Sequence, residues 1–286
     1  MFAISLIFVA LAIAYFAVRL GTTHEIKNKK ILVIGGSSGL GLAFARVLKK
    51  EGNNVTITSR SMERLVPLGK KWGFETKVLD INVVGGQEST DFDYIFCCPG
   101  VSYPAYFVDQ PLETFQDTMS TNYLGTVAML KHYAEVNKKP FKFVMIGSTL
   151  VLLTFPGFSS YSPTKTALLS LFCTVRDEME RQGVELYLYN TASILTPGFE
   201  RENKTKPSYT KAIEEMVPPS SAEERAVAFL IGMKKRRMVA SDVFTYLCQI
   251  RFECECLIDY ILFPVSVAVV FIVRAYVKWR FMAEKM

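Results

Sequence analysis

Tyr161-Ser162-Pro163-Thr164-Lys165 sets a phenol and an ammonium four residues apart, so on a helix the two share one face on neighbouring turns. An ammonium beside a phenol stabilises the phenolate and lowers the hydroxyl's pKa, which makes it a proton donor to a ketone near neutral pH. Ser148 stands 13 positions upstream of this pair, at the end of a predicted strand. A second constellation, Gly35-Gly36-Ser37-Ser38-Gly39-Leu40-Gly41, follows the first predicted strand and opens a helix. Glycines at Gly35, Gly39 and Gly41 permit a tight turn and let the backbone approach a pyrophosphate. The anion then sits on the helix N-terminus, where unpaired N–H groups and the macrodipole favour it.

The second strand ends in Thr58-Ser59-Arg60-Ser61, with no acidic residue to accept a bond from a ribose 2′-hydroxyl. A guanidinium there matches a 2′-phosphate, so the expected cofactor is NADPH rather than NADH. Asp80 closes the third strand at the sheet edge where an adenine would lie. His24 and His132 are the only imidazoles and there is no CxxC pair, so no metal site is expected.

These residues need a scaffold that brings strand ends together. Short β-branched runs at 31–34, 55–58, 76–79, 94–97, 141–146 and 185–189 alternate with amphipathic runs at 40–51, 62–71, 112–135, 163–182 and 222–233. That order predicts an α/β fold: a doubly wound, Rossmann-type parallel sheet in a single domain, with helices on both faces. The segment 80–91 is too brief for a full crossover helix and is expected as a turn or irregular loop.

The chain has 286 residues, 50% of them hydrophobic, and a net charge of +6. Its mean hydropathy is +0.22. Such a composition excludes a disordered chain, and the modest charge needs no nucleic-acid partner. The six cysteines form no regular framework and are expected as reduced thiols.

Both ends are apolar. Phe2 to Val18 carries no charge and would span roughly 25 Å as a helix, enough for an anchor. Arg19, Lys27, Lys29 and Lys30 follow it, which places the downstream domain in the cytosol by the positive-inside rule. Tyr260 to Val273 is shorter and interrupted by Pro264, and it reads as a kinked span, a re-entrant hairpin, an interfacial helix or a core helix. The expected organisation is a membrane anchor over 1–20, a catalytic domain over 21–255 and a membrane-associated segment over 256–286.

The glycine-rich turn, the serine and Tyr-x-x-x-Lys, in that order, resemble the short-chain dehydrogenase/reductase family over roughly Lys30 to Met233. The resemblance implies that Tyr161 is the general acid, that Lys165 binds the nicotinamide ribose and tunes the phenol, and that Ser148 hydrogen-bonds the substrate carbonyl. It further implies that Asn122 supports a proton relay, that Thr196 contacts the carboxamide, and that the protein pairs as a homodimer, with Leu168, Leu169, Leu171 and Phe172 as either its face or buried core. Three positions depart from the family pattern. Cys97-Cys98-Pro99-Gly100 replaces the usual Asn-Asn-Ala-Gly and keeps only Gly100, Ile34 replaces a threonine, and Thr191-Ala192 replaces a Pro-Gly. These changes touch bracing of the sheet more than the proton path.

Within that family, the run Thr196 to Pro207 resembles the substrate loop of the 3-ketodihydrosphingosine reductases, as do the neighbouring Phe158, the Asn122-Tyr123-Leu124-Gly125 run and the apolar ends. The resemblance implies reduction of a long-chain amino ketone lipid in sphingolipid biosynthesis at the endoplasmic reticulum membrane. In that reading Phe199, Tyr209 and Met216 form an apolar lid over the tail, and Glu200 or Glu202 faces the ammonium. Two alternatives remain at this level. One is a membrane-bound steroid or retinoid carbonyl reductase with the same catalytic residues, and the other is a non-catalytic membrane adaptor that keeps the dinucleotide fold.

Overall fold

Ile31, Leu32, Val33 and Ile34 are each at most 1% exposed, so both faces of this strand are covered. Leu32 and Ile34 join one hydrophobic cluster, and Ile31 and Val33 join another on the opposite face. The computed structural model describes residues 25–83 and 91–283. The anchor expected over 2–18 therefore lies outside the described residues, as do residues 84–90 of the connection expected as a loop over 80–91.

Seven parallel strands form the sheet: β1 (Lys30–Ile34), β2 (Asn54–Ser59), β3 (Glu75–Val78), β4 (Tyr94–Cys97), β5 (Phe141–Ile146), β6 (Val184–Asn190) and β9 (Met238–Ala240). Their order is β3-β2-β1-β4-β5-β6-β9. The chain winds one way from β1 to β3 and the other way from β4 onward. The crevice between β1 and β4, at the carboxyl ends, is thus the topological switch point where ligands bind in open α/β sheets.

Helices α1 (Gly39–Lys50) and α8 (Ala222–Gly232) cover one face, burying Phe44, Leu48, Phe229 and Leu230. Phe44, Tyr189 and Phe229 pack there edge-on or tilted, with centroids 5.0 to 6.5 Å apart. Helices α4 (Gly125–Val136) and α5 (Ser162–Arg181) cover the other, burying Met129, Leu130, Leu168, Leu169 and Phe172. The apolar residues of α5 are therefore core in this chain. Helix α2 (Met62–Trp72) flanks β2 and β3.

Three elements differ from the sequence expectation. The run 112–135 is not one regular helix: α3 (Leu112–Met119) passes through a π-helical turn at Ser120–Leu124 before α4 begins. A π turn leaves no sequence punctuation because the helical path continues through it. The seventh strand, β9, has only three residues and follows the basic run Lys234–Arg237, so its alternation is too short to read. The segment expected as a loop after β6 folds instead as β7 (Ile194–Leu195), α6 (Pro197–Thr205), α7 (Ser208–Glu214) and β8 (Ser220–Ser221). Thr196 caps α6, its hydroxyl accepting from Phe199 N–H at 3.1 Å.

After β9, Asp242 caps α9 (Val243–Gln249), accepting from Thr245 N–H at 2.9 Å. The last element, α10 (Leu257–Ala283), is one continuous 27-residue helix, about 40 Å long. It is long enough, and over an 18-residue window apolar enough (mean hydropathy 2.1), to cross a membrane. Pro264 does not stop it: the ring lies on the exposed side, in the third turn. A stripe of Asp259, Ser266, Val269, Val270 and Val277 is buried against the catalytic fold. Tyr209 donates to Val277 C=O at 2.7 Å, and Ser266 donates to Leu247 C=O.

Asp259 fastens the start of this helix. It is fully buried and accepts two bonds from the Arg236 guanidinium, both at 2.7 Å, one from Glu255 N–H at 2.8 Å and one from the Tyr246 hydroxyl. Removing one partner of such a pair strands a buried charge, at a cost of about 3 kcal/mol. Asp259→Ala is expected to lower the thermal midpoint in detergent by roughly 5 to 10 °C. An unchanged midpoint would show that α10 does not depend on this contact.

Candidate active site

The glycine turn between β1 and α1 is built for close approach. Gly35 and Gly39 have φ of +74° and +53°, and a Cβ on Gly41 would lie 2.4 Å from Gly35 C=O. Ser38 extends into the N-cap position of α1 but makes no side-chain capping bond, which leaves the first-turn N–H groups for an anion. Gly35, Ser37, Ser38, Gly39, Leu40 and Gly41 all line one cavity of about 990 Å³ at the switch point. A Cβ at Gly39 would meet Thr196 at 3.2 Å, so the cap of α6 closes over the glycine turn. This cradle fits a dinucleotide pyrophosphate, and adding side chains to it would fill it.

The other expected cofactor residues surround the same cavity with one exception. Arg60, Gly100, Thr196, Tyr161 and Lys165 line it. Asp80 does not; its carboxylate accepts from Asn82 N–H at 3.0 Å, and Leu79, Ile81 and Asn82 form the wall there instead. Arg64, one turn into α2, also lines the cavity beside Arg60. Its place was hidden in the sequence because it reads as an ordinary helical surface residue.

The catalytic-type residues come from three elements. Ser148 follows β5, is 7% exposed, and its hydroxyl accepts from Leu150 N–H at 3.2 Å. It also hydrogen-bonds the Tyr161 phenol. Tyr161 is the N-cap residue of α5, so Lys165 falls one turn on, with its ammonium 5.7 Å from the phenol ring centre. Lys165 is 3% exposed and donates to Ile146 C=O at 2.9 Å.

Burial raises the Tyr161 pKa, and the carboxylates of Glu202 and Glu214 raise it further, while the Ser148 bond opposes them. The phenol is thus held protonated, the form a proton donor requires. The lowering expected from Lys165 is not found: the phenol's pKa is raised instead, and Lys165 is not among the groups that shift it. Burial pulls the Lys165 pKa down to about 8, because desolvation disfavours its charge.

Asn122 lies in the π turn and is fully buried. Its amide oxygen accepts from Val101 N–H at 2.8 Å, and its amide nitrogen donates to Val101 C=O and the Thr164 hydroxyl, each at 3.0 Å. The side chain ties the loop after β4 to α5. A Cβ on Gly100 would come 3.6 Å from both the Asn122 amide oxygen and the Lys165 ammonium, so this loop lies tightly over the pair.

The altered Cys97-Cys98-Pro99 run is accommodated by other bonds. Cys98 N–H donates to Ile34 C=O at 3.0 Å, and Cys97 faces the Thr126 hydroxyl at 3.8 Å. All six cysteines are free. Among the described residues no cluster of His, Cys, Asp or Glu is arranged for a metal.

Around the far end of the cavity stand Leu153, Phe155, Phe158, Phe199, Met216, Val217, Phe244 and Val273. Phe199 and Met216 are where the sequence placed a lid. Tyr209 is not; it is buried and bonded to α10. Glu202 lines the cavity, whereas Glu200 is exposed and does not. Glu214 and Val273 were not foreseeable, because α7 and α10 reach the site only through tertiary packing.

A phenol held protonated, a serine hydroxyl bonded to it and a buried ammonium one turn away, beside a dinucleotide cradle, define a carbonyl oxidoreductase site. A family model described as short chain dehydrogenase matches residues 29–207. The chain belongs to the short-chain dehydrogenase family, and its cofactor is a nicotinamide dinucleotide.

Among its relatives is a 3-ketodihydrosphingosine reductase of Cryptococcus neoformans, 29% identical over 236 residues, covering 75% of this chain and 70% of that protein. Another, from Dictyostelium discoideum, bears the same name and is 29% identical over 276 residues, covering 84% and 83%. A solved short chain dehydrogenase/reductase family protein superposes with a TM-score of 0.65 at 25% identity, covering 76% of this chain and 98% of its own.

With its pKa depressed to about 8, Lys165 is charged below that pH and neutral above it. The ligand-free protein is expected to bind the reduced dinucleotide roughly tenfold more weakly at pH 9 than at pH 7. In Lys165→Arg, binding should stay level over that range. A fluorescence titration that found wild type equally level would remove Lys165 from the cofactor contacts.

Proposed function

We propose that this protein reduces 3-ketodihydrosphingosine to dihydrosphingosine with NADPH, in sphingolipid biosynthesis, at the cytosolic face of the endoplasmic reticulum membrane. The observation that carries the reading is a single cavity. It joins a Tyr161–Ser148–Lys165 constellation to an apolar chamber walled in part by α10, the most apolar helix of the described chain. The relatives of that name support the substrate. Each buried methylene of a sphingoid tail gains ~0.8 kcal/mol, which suits an apolar chamber and a bilayer alike.

The glycine turn, Gly100, Lys165 and Thr196 would hold the dinucleotide, with Arg60 and Arg64 toward its adenosine end. The bound cofactor supplies the hydride to the ketone carbon. Ser148 hydrogen-bonds the ketone oxygen and orients it toward Tyr161, which gives up its phenolic proton as charge develops there. Lys165 stabilises the phenolate left behind. Asn122 keeps the loop after β4 and the start of α5 in register, and so holds the pair in place.

NADPH is favoured because two guanidinium side chains, Arg60 and Arg64, line the cavity at the end of β2, where no carboxylate other than Glu63 lines it. Membrane association rests on the outward side of α10, where Leu257, Ile261, Phe271 and Trp279 are exposed, with Arg274 and Lys278 available to anionic headgroups. In this reading the anchor expected over 1–20 and the helix at the other end hold the catalytic domain against the lipid that carries its substrate. A homodimer would have to form without Leu168, Leu169 and Phe172, which the core has taken.

Detergent-solubilised protein given 3-ketodihydrosphingosine is expected to consume NADPH and release dihydrosphingosine. NADPH should be preferred over NADH, and Arg60→Glu should lower that preference by at least roughly tenfold, the loss of one charge-assisted phosphate contact. Turnover of a steroid ketone or a retinoid aldehyde alone would leave the chemistry and discard the lipid.

A further inference from the structure

Lys206 is the last turn's continuation of α6, and its side chain is wholly buried. It lies between two aromatic rings, 4.7 Å from the Phe199 centroid and 5.6 Å from that of Phe158. Phe158 in turn packs 6.0 Å from the ring of Tyr161. A buried ammonium requires a counter-charge, and Glu214 of α7 supplies it by a direct ion pair. Glu214 also accepts from the Ser193 hydroxyl at 3.5 Å.

One counter-charge is enough, yet a second carboxylate is present. Glu202 stands 3.8 Å from Lys206, its side chain 24% exposed, and its carboxylate has no hydrogen bond among the described residues. Both carboxylates line the catalytic cavity, and both are felt electrostatically at the Tyr161 phenol. With both carboxylates ionised, the triad carries one net negative charge. Arg201, exposed on the same helix and also lining the cavity, acts on Glu202 as well.

We infer that the Glu202–Lys206–Glu214 triad is the recognition site for the substrate's ammonium group and sets selectivity for an amino ketone over a neutral ketone. The inference rests on the reductase reading above and deepens it. In a long-chain 2-amino-3-ketone the ammonium is on the carbon next to the carbonyl. A site that places the carbonyl oxygen at Tyr161 and Ser148 thus holds the ammonium on the same side of the cavity, two bonds from the carbonyl carbon and three from its oxygen. The cation completes the charge of the triad and takes up the acceptor that Glu202 leaves open.

Its arrival also offsets the two carboxylates that raise the Tyr161 pKa. Burial, the larger cause of that rise, is unaffected. Lys206 is a positioning residue, keeping Glu214 and Glu202 on one side of the cavity.

The test is steady-state reduction of the amino ketone and of its des-amino analogue, with hydrogen in place of the ammonium, by wild type, Glu202→Gln and Glu214→Gln. Each variant leaves the triad neutral. For the amino ketone KM is expected to rise roughly ten- to hundredfold in both variants, the loss of a charged hydrogen bond. For the des-amino ketone it should change less than about threefold. Dinucleotide binding serves as the check on folding.

A pH profile gives a second readout. Glu202 titrates at about 7 through burial and Glu214, opposed by Lys206 and Arg201. Wild-type KM for the amino ketone should therefore rise as pH falls through that value, and Glu202→Gln should lack the limb. Wild type using both ketones equally, or variants that lose both in parallel, would overturn the assignment while leaving the reductase reading intact. Failure of wild type on either ketone would instead remove the reading on which it rests.

Discussion

A single buried ammonium organises the site. Lys165 is almost wholly removed from water, and a charge in that position persists only if fixed groups replace its hydration. Ile146 C=O, at the end of strand β5, is one such group. That bond fixes the start of α5 against the sheet edge, and with it the distance from Tyr161 to the carboxyl ends of the strands. Gly100 lies against the ammonium, and Asn122 ties the Gly100–Val101 loop to Thr164, one residue before the lysine. Ser148, two residues beyond Ile146, is then necessarily beside the phenol.

The same placement explains the electrostatics. Low exposure weakens the charge of Lys165 and keeps Tyr161 in its neutral form, so each group is poised by desolvation as much as by its partner. Two carboxylates on α6 and α7 add to the phenol's reluctance to ionise. A cation bound beside these carboxylates would offset their effect on the phenol, which links headgroup recognition to proton transfer.

Much of this was legible in the chain because its signals are local. The glycine turn needs only consecutive residues between a strand and a helix, and Tyr161 with Lys165 needs only helical spacing. Ser148 is marked by the end of a strand. The doubly wound parallel sheet followed from alternation, with β9 missed at three residues and the π turn at Asn122 hidden within a continuous helical pattern. What could not be read depends on distant segments. Glu214 reaches the cavity through the turn between α6 and α7, and Val273 reaches it because Asp259, Ser266 and Val277 dock α10 across the fold. Pro264 suggested a broken segment, but the helix runs on through it, its cost of about 3 kcal/mol offset by the packing of Ser266, Val269, Val270 and Val277 against the fold.

The account stands most directly on the proton that Tyr161 gives. Single-turnover reduction of 3-ketodihydrosphingosine by protein preloaded with NADPH would compare wild type with Tyr161→Phe, which keeps the ring and removes only the hydroxyl. The rate of product formation is expected to fall by roughly 10²- to 10⁴-fold, with dinucleotide affinity unchanged. A Tyr161→Phe protein that forms dihydrosphingosine at the wild-type rate would contradict the account.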